Sequence, residues 1–252
     1  MHTNLHTLSA RLHYAREHHM TLDAIPPEMV PANPEASFEI QHETMRLMHA
    51  QIGGWKVGGK TPTAPVVGAP LPLTGIYKTG AEISRKGFTP PALELEIAFR
   101  FNRSFEPAST PYDDELVMSS IGTMCPTIEI LSSRLSKWPN ENPMTQLADL
   151  QSHGALVVGE SIPYQADYPF LSPALSFEFN GESVLKAPVK NPSGDPRRTL
   201  PWLVNHCAGR GITVTPDTII TTGSYTGVYL VEHLGLAIGK IPGFDPVTVK
   251  LL

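Results

Sequence analysis

Ala92-Leu93-Glu94-Leu95-Glu96-Ile97-Ala98-Phe99-Arg100 is the stretch that decides the fold. Leu93, Leu95, Ile97 and Phe99 alternate with Glu94, Glu96, Ala98 and Arg100. That period of two predicts a strand with one apolar face. Further along, Ile128-Glu129-Ile130-Leu131 and 154–159 read as short apolar strands. Leu175, Phe177 and Phe179 alternate up to Asn180-Gly181, a pair that favours a type I′ hairpin turn. Ile219-Ile220, 236–241 and Val247-Val249-Leu251 read as closing strands, and 200–208 as a helix ending at Gly209.

Upstream the period is helical. Leu5, Leu8, Leu12 and Ala15 recur at the spacing of an amphipathic first helix. Asn33 followed by Pro34 and Glu35 marks the start of a second, with Ile40, Thr44, Leu47 and Met48 as its apolar face and Gly53-Gly54 as its end. The expected fold class is α+β: a helical segment over 1–52, then a β-rich body over 53–252. The Pro/Ser/Asp stretch 187–197 reads as a mobile linker.

Composition narrows the function. The 252 residues carry 19 Lys+Arg against 24 Asp+Glu, a net charge of −5, and no basic stripe, which argues against a nucleic-acid partner. The N-terminal stretch lacks a signal peptide's unbroken apolar run, and nowhere do about 18 apolar residues run together, so the expectation is a cytoplasmic protein with no membrane partner. Cys125 and Cys207 have no zinc-like spacing with histidine and read as core thiols.

Two motifs compete for the chemistry. Gly54-Trp55-Lys56-Val57-Gly58-Gly59-Lys60-Thr61 satisfies the phosphate-loop pattern letter for letter. That loop works only between a buried strand and a helix. Here Pro62, Pro65 and Pro70 bar a helix beyond Thr61, so the motif reads as a glycine-rich turn instead. The carboxylates are the stronger signal. Glu94 and Glu96 leave a strand on one face. Glu129 lies inside an apolar run, where an uncompensated carboxylate costs several kcal/mol. If the three converge they suit a hard divalent cation that takes oxygen ligands.

The segment 92–99, followed by Pro126-Thr127-Ile128-Glu129-Ile130-Leu131-Ser132-Ser133-Arg134, resembles the metal-binding signature of the fumarylacetoacetate hydrolase superfamily. It is most similar to the 2-keto-4-pentenoate hydratase / 4-oxalocrotonate decarboxylase branch. Phe38-Glu39-Ile40-Gln41, 54–58, 149–159, Asn180-Gly181 and Thr222-Gly223-Ser224-Tyr225-Thr226-Gly227 resemble further motifs of that branch, in order.

The resemblance implies a mixed β-roll or barrel-like body assembled into a homo-oligomer. It implies Mg2+ or Mn2+ held by Glu94, Glu96 and Glu129, with Lys56 as a catalytic residue and Ser224 and Thr226 meeting the carboxylate of a small 2-oxo acid substrate. The implied activity is that of a lyase hydrating a 2-hydroxydienoate, with a decarboxylase, an acylpyruvate C–C hydrolase or a non-catalytic 2-oxo-acid-binding subunit as alternatives. One position departs from the pattern: Ser132 stands where the branch carries aspartate.

Overall fold

In the computed structural model of the chain, residues 6–186 and 189–252 are described. Helices α1 (Leu8–Glu17) and α2 (Pro34–Leu47) open the chain. Strands β1 (Ile52–Gly58), β2 (Val67–Pro72), β3 (Ile76–Lys78), β4 (Ala81–Ile83) and β5 (Ala92–Phe101) follow. Next come α3 (Asp114–Ser119), β6 (Ile121–Leu131), α4 (Pro143–Ala148), β7 (His153–Val158) and β8 (Ile162–Pro163). The chain closes with β9 (Ser176–Phe179), β10 (Glu182–Ser183), α5 (Leu200–Gly209), β11 (Ile219–Thr221), β12 (Tyr229–Leu230), β13 (Gly235–Lys240) and β14 (Val247–Leu251).

The strands form two sheets. A nine-stranded sheet has the order β2-β1-β11-β5-β6-β7-β3, with β12 also paired to β5 and β8 to β6. A five-stranded sheet has the order β10-β9-β13-β14-β4. Both are mixed: β1 runs parallel to β11, β3 to β7 and β14 to β4, while the remaining pairs are antiparallel. The α+β expectation holds, and among the described residues neither sheet closes into a barrel.

The alternation read in 93–99 builds the core. Leu93, Leu95, Ile97 and Phe99 are fully buried and share a cluster with Phe177, Phe179, Ala237, Val247, Val249 and Leu251 of the five-stranded sheet. Contact between the sheets is close enough that a Cβ at Gly239 would lie 2.4 Å from Leu95 Cδ1. Elsewhere, Leu8 and Leu12 of α1 pack with Leu135 and Ala148. Leu5, expected on the same face, lies outside the described residues.

Asn33 caps α2 as expected, its side chain accepting from Ala36 N with Pro34 in the first turn. The buried face, however, is Ser37, Phe38, Gln41, Thr44 and Met45, whereas Ile40, Leu47 and Met48 are half-buried. Gln41 is buried because its Nε2 donates to Gly68 O at 3.1 Å and to Leu147 O at 2.6 Å, tying α2 to β2 and α4.

The helix does not end at Gly53-Gly54. It ends at Leu47, capped by Met48, and the chain turns at His49 (φ 50°), where Ala50 N donates to Met45 O and His49 N to Arg46 O, the hydrogen-bond pair of a Schellman turn. Gly53 and Gly54 lie inside β1, and a Cβ on Gly54 would meet Ile219 O and Cγ2 at 2.5 Å. Glycine is needed there for the approach of β11, not for a turn.

At the hairpin the expectation holds: Asn180 (φ 53°) and Gly181 (φ 83°) join β9 to β10 with both φ values positive. The stretch 187–197 is no free linker where it is described. Asn191 and Ser193 are buried, Asn191 Nδ2 donating to Thr222 O and Gly223 O, and Ser193 Oγ bonding both Gly59 N and Gly59 O. Residues 187 and 188 lie outside the described residues. Among the described residues, no helix is long and apolar enough to cross a membrane.

Candidate metal centre

Strand register brings the carboxylates together. In the antiparallel β5–β6 ladder Glu94 pairs with Glu129 and Glu96 with Thr127, so all three acids leave one face of the nine-stranded sheet. Each offers an oxygen, and the three oxygens lie within 4.8 Å of one another. Glu129 is wholly buried and Glu96 2% exposed.

Charge on this scale needs compensation. Lys56, on β1, donates from Nζ to Glu129 Oε1 at 2.8 Å and to Gln151 O at 3.1 Å, and also lies 2.8 Å from Glu129 Oε2. His153, at the start of β7, places Nδ1 2.9 Å from Glu129 Oε1. Glu96 Oε2 accepts from the Thr221 hydroxyl and from Gly223 N at 2.9 Å. The loop before β7 reaches the site through three successive left-handed residues, Leu150 (φ 48°), Gln151 (φ 50°) and Ser152 (φ 59°). Such conformations cost of order 1–3 kcal/mol each. The buried Arg134–Asp149 ion pair, 2.6 Å between Nε and Oδ1, anchors that loop.

The electrostatics follow from burial and crowding. Desolvation, and then Glu96, pushes the Glu94 carboxyl up to about 8. Desolvation, and then Glu129, pushes Glu96 up to about 7. At Glu129 desolvation acts upward too, but Lys56 and His153 outweigh it and hold the group below its ordinary value. Burial opposes the Lys56 ammonium, yet Glu129, Glu94 and Glu96 outweigh burial and raise it. His153 is lowered to about 4 by burial and is therefore neutral near pH 7.

Glu129 Oε2, buried, makes no hydrogen bond despite the nearby ammonium. A converging all-oxygen set with an orphaned buried oxygen fits a hard divalent cation.

Two cavities meet at this cluster, both lined by Lys56, Glu94 and Gln151. One, about 400 Å³, is walled by Lys190 and the turn 223–227. The other, about 500 Å³, is largely apolar, with Val67, Trp138, Met144, Leu147 and Val228 on its walls. Ser224 and Thr226 both face the first cavity. The Thr226 hydroxyl is partly engaged by the fold, accepting from Leu95 N at 3.3 Å and donating to Gly227 O at 3.2 Å. The phosphate-loop lookalike is strand β1 followed by a loop, and the next regular element after Thr61 is β2.

Solved structures resemble this arrangement. The 4-oxalocrotonate decarboxylase of Pseudomonas putida G7, complexed with magnesium and adipate, superposes with a TM-score of 0.82 over 97% of this chain and 96% of that one, at 18% identity. The fold is that of the fumarylacetoacetate hydrolase superfamily.

More distant examples of this fold are the 2-hydroxyhepta-2,4-diene-1,7-dioate isomerase of Mycobacterium marinum (TM-score 0.57, 19% identity, 81% of this chain and 76% of that one) and a fumarylpyruvate hydrolase of Pseudomonas aeruginosa in complex with Mn2+ and pyruvate (TM-score 0.55, 14% identity, 79% and 88%). No protein-family model and no curated protein matches the sequence.

Within the fumarylacetoacetate hydrolase fold, the structure gathers Lys56, Glu94, Glu96 and Glu129, with Ser224 and Thr226 on the adjoining wall. The sequence reading missed His153, Gln151 and Thr221. His153 carried one available signal, since it is a histidine opening an apolar strand and is wholly buried.

Proposed function

We propose that the chain is a divalent-cation-dependent lyase acting on a small 2-oxo or 2-hydroxydienoic acid. The observation that carries this is the converging trio of half-buried Glu94 and buried Glu96 and Glu129, beside an ammonium at the meeting of two cavities. These residues would hold Mg2+ or Mn2+. When bound, the cation would supply Lewis acidity toward the oxygens of a 2-oxo acid and favour enolisation.

The protein's own groups account for the rest. Lys56 keeps its proton near pH 7, so it acts as a hydrogen-bond donor and fixed positive charge toward a developing oxyanion rather than as a base. Ser224 and the turn 223–227, facing Lys190 across the first cavity, suit the substrate carboxylate. The apolar second cavity holds bulk water away from the remainder of the substrate. In the hydratase reading a 2-hydroxydienoate tautomerises to the conjugated enone, its enol proton lost and C5 protonated, and water then adds across the alkene with hydroxyl to C4 and its proton to C3.

Decarboxylation is the second reading. It is favoured by the likeness to the decarboxylase over nearly the whole chain.

Turnover of 2-hydroxypenta-2,4-dienoate and of 4-oxalocrotonate, each with magnesium and with chelator, tests both readings. Magnesium-dependent loss of the first substrate supports the hydratase, and carbon dioxide release from the second supports the decarboxylase. No metal-dependent rise in Tm and no chelator-sensitive exchange of the C3 protons of a 2-oxo acid would overturn the shared proposal.

A further inference from the structure

A third cavity, of about 490 Å³, shares no lining residue with the two at the carboxylate cluster. Its volume falls within the range of small-molecule sites. Three cationic side chains and a histidine line it, Arg16 and His19 from the end of α1 and beyond, Lys86 from the loop before β5, and Arg134 after β6; among the described residues no carboxylate does. In a chain of net charge −5 this concentration of one sign is local.

The arginines differ in their commitments. Arg134 is satisfied: it pairs with Asp149 and donates to His153 O at 3.0 Å. Arg16 donates from Nη2 to the same carbonyl at 2.8 Å and, among the described residues, forms no ion pair. Burial, and then the neighbouring Arg134, drives the Arg16 guanidinium down to about 9, and the pull of Asp149, already paired with Arg134, only partly offsets them. Lys86 is exposed at the rim.

Ser132, the residue that departs from the expected aspartate, lines the same wall as a hydroxyl accepting from Thr89 N at 2.9 Å, and so adds no negative charge. The remaining wall includes the apolar side chains of Ile83 and Phe88.

We propose that this cavity binds a small organic dianion, its charged oxygens on Arg16 and Lys86 and its carbon body against Ile83 and Phe88. A guanidinium offers a planar donor fork to carboxylate or phosphate, and the lysine adds a point charge. Two charged groups joined by a compact apolar body match two cations that, among the described residues, form no ion pair, in a cavity with apolar walls. Dicarboxylates and phosphate monoesters share this chemistry.

Calorimetric titration of the full chain with phthalate and with phenyl phosphate tests the site. The titration is run once without metal and once with magnesium and saturating oxalate, which occupies the acid cluster. The expected result is saturable one-to-one binding of at least one probe, similar in both conditions, with benzoate about tenfold weaker or more. Arg16→Gln and Lys86→Gln should each weaken it about tenfold or more. Phthalate alone binding identifies a dicarboxylate site, phenyl phosphate alone a phosphomonoester site, and both a site that reads charge only. The proposal is overturned if neither probe binds at millimolar concentration, if oxalate displaces the bound probe, or if both variants bind like the parent. Should Arg16→Gln fail to fold, the exposed Lys86→Gln decides alone.

Discussion

Glu94 is the direct cross-strand partner of Glu129 in the β5–β6 ladder. Like charges placed opposite one another destabilise a sheet, and Glu96 adds a third acid on the same face. The fold accepts this crowding by putting Lys56, His153, Thr221 and an amide around the three carboxylates.

Removing one acid should separate the two costs. Glu94→Gln is expected to raise the metal-free stability by about 1 kcal/mol, because it removes a carboxyl that burial, and then Glu96, disfavours in its charged form. The same change should abolish most of the Tm increase caused by magnesium or manganese. Paired melts with and without metal check both, and an undiminished metal response would remove Glu94 from the ligand set.

Protons and cation compete for the same oxygens. Glu94 and Glu96, at about 8 and 7 against an ordinary 4.5, hold protons in the folded chain that the unfolded chain has released. Metal-free stability from these groups is therefore full below pH 4.5 and falls as pH rises toward 8. Metal affinity should move oppositely and strengthen from pH 6 to pH 8. Calorimetric metal titrations at several pH values measure it.

His153 titrates in the opposite sense. Its folded value near 4 lies below the ordinary 6.5, so the stability it contributes is complete above 6.5 and is lost as pH falls through 4. His153→Gln should make the acid limb of a stability–pH profile shallower. It should also weaken metal binding about 10–100-fold by freeing the Glu129 carboxylate, a loss typical when a residue orienting a ligand is removed.

Lys56→Met strands a buried carboxylate. The metal-free protein should lose about 3 kcal/mol by chemical denaturation. Turnover of the preferred substrate should fall about 10²–10³-fold in kcat, the scale on which a donor to a developing oxyanion contributes.

Legibility followed sequence distance. The Glu94/Glu96 face, the Asn33 cap and the Asn180-Gly181 turn each depend on neighbours two or three residues away, and each was readable. Glu129 was readable because a carboxylate inside Ile128–Leu131 contradicts its surroundings.

The failures had distant causes. Gly53-Gly54 reads locally as a helix end because the close approach of Ile219, about 165 residues away, leaves no mark on its neighbours in sequence. The segment 187–197 has the composition of a linker, yet Ser193 is clamped by the Gly59 backbone. His153 meets Glu129 only through the β6–β7 register, which slips beside it between Ile130 and Leu131.

Leu95 stands between the two acids of β5 and points the other way, into a second sheet that leaves room for only a hydrogen at Gly239. The strand bearing the glutamates is thereby clasped from behind, and a shift of even a methyl's width would pry the sheets apart. The space open to the proposed substrate is shaped instead in large part by the segments 138–152 and 223–228, which line the cavities.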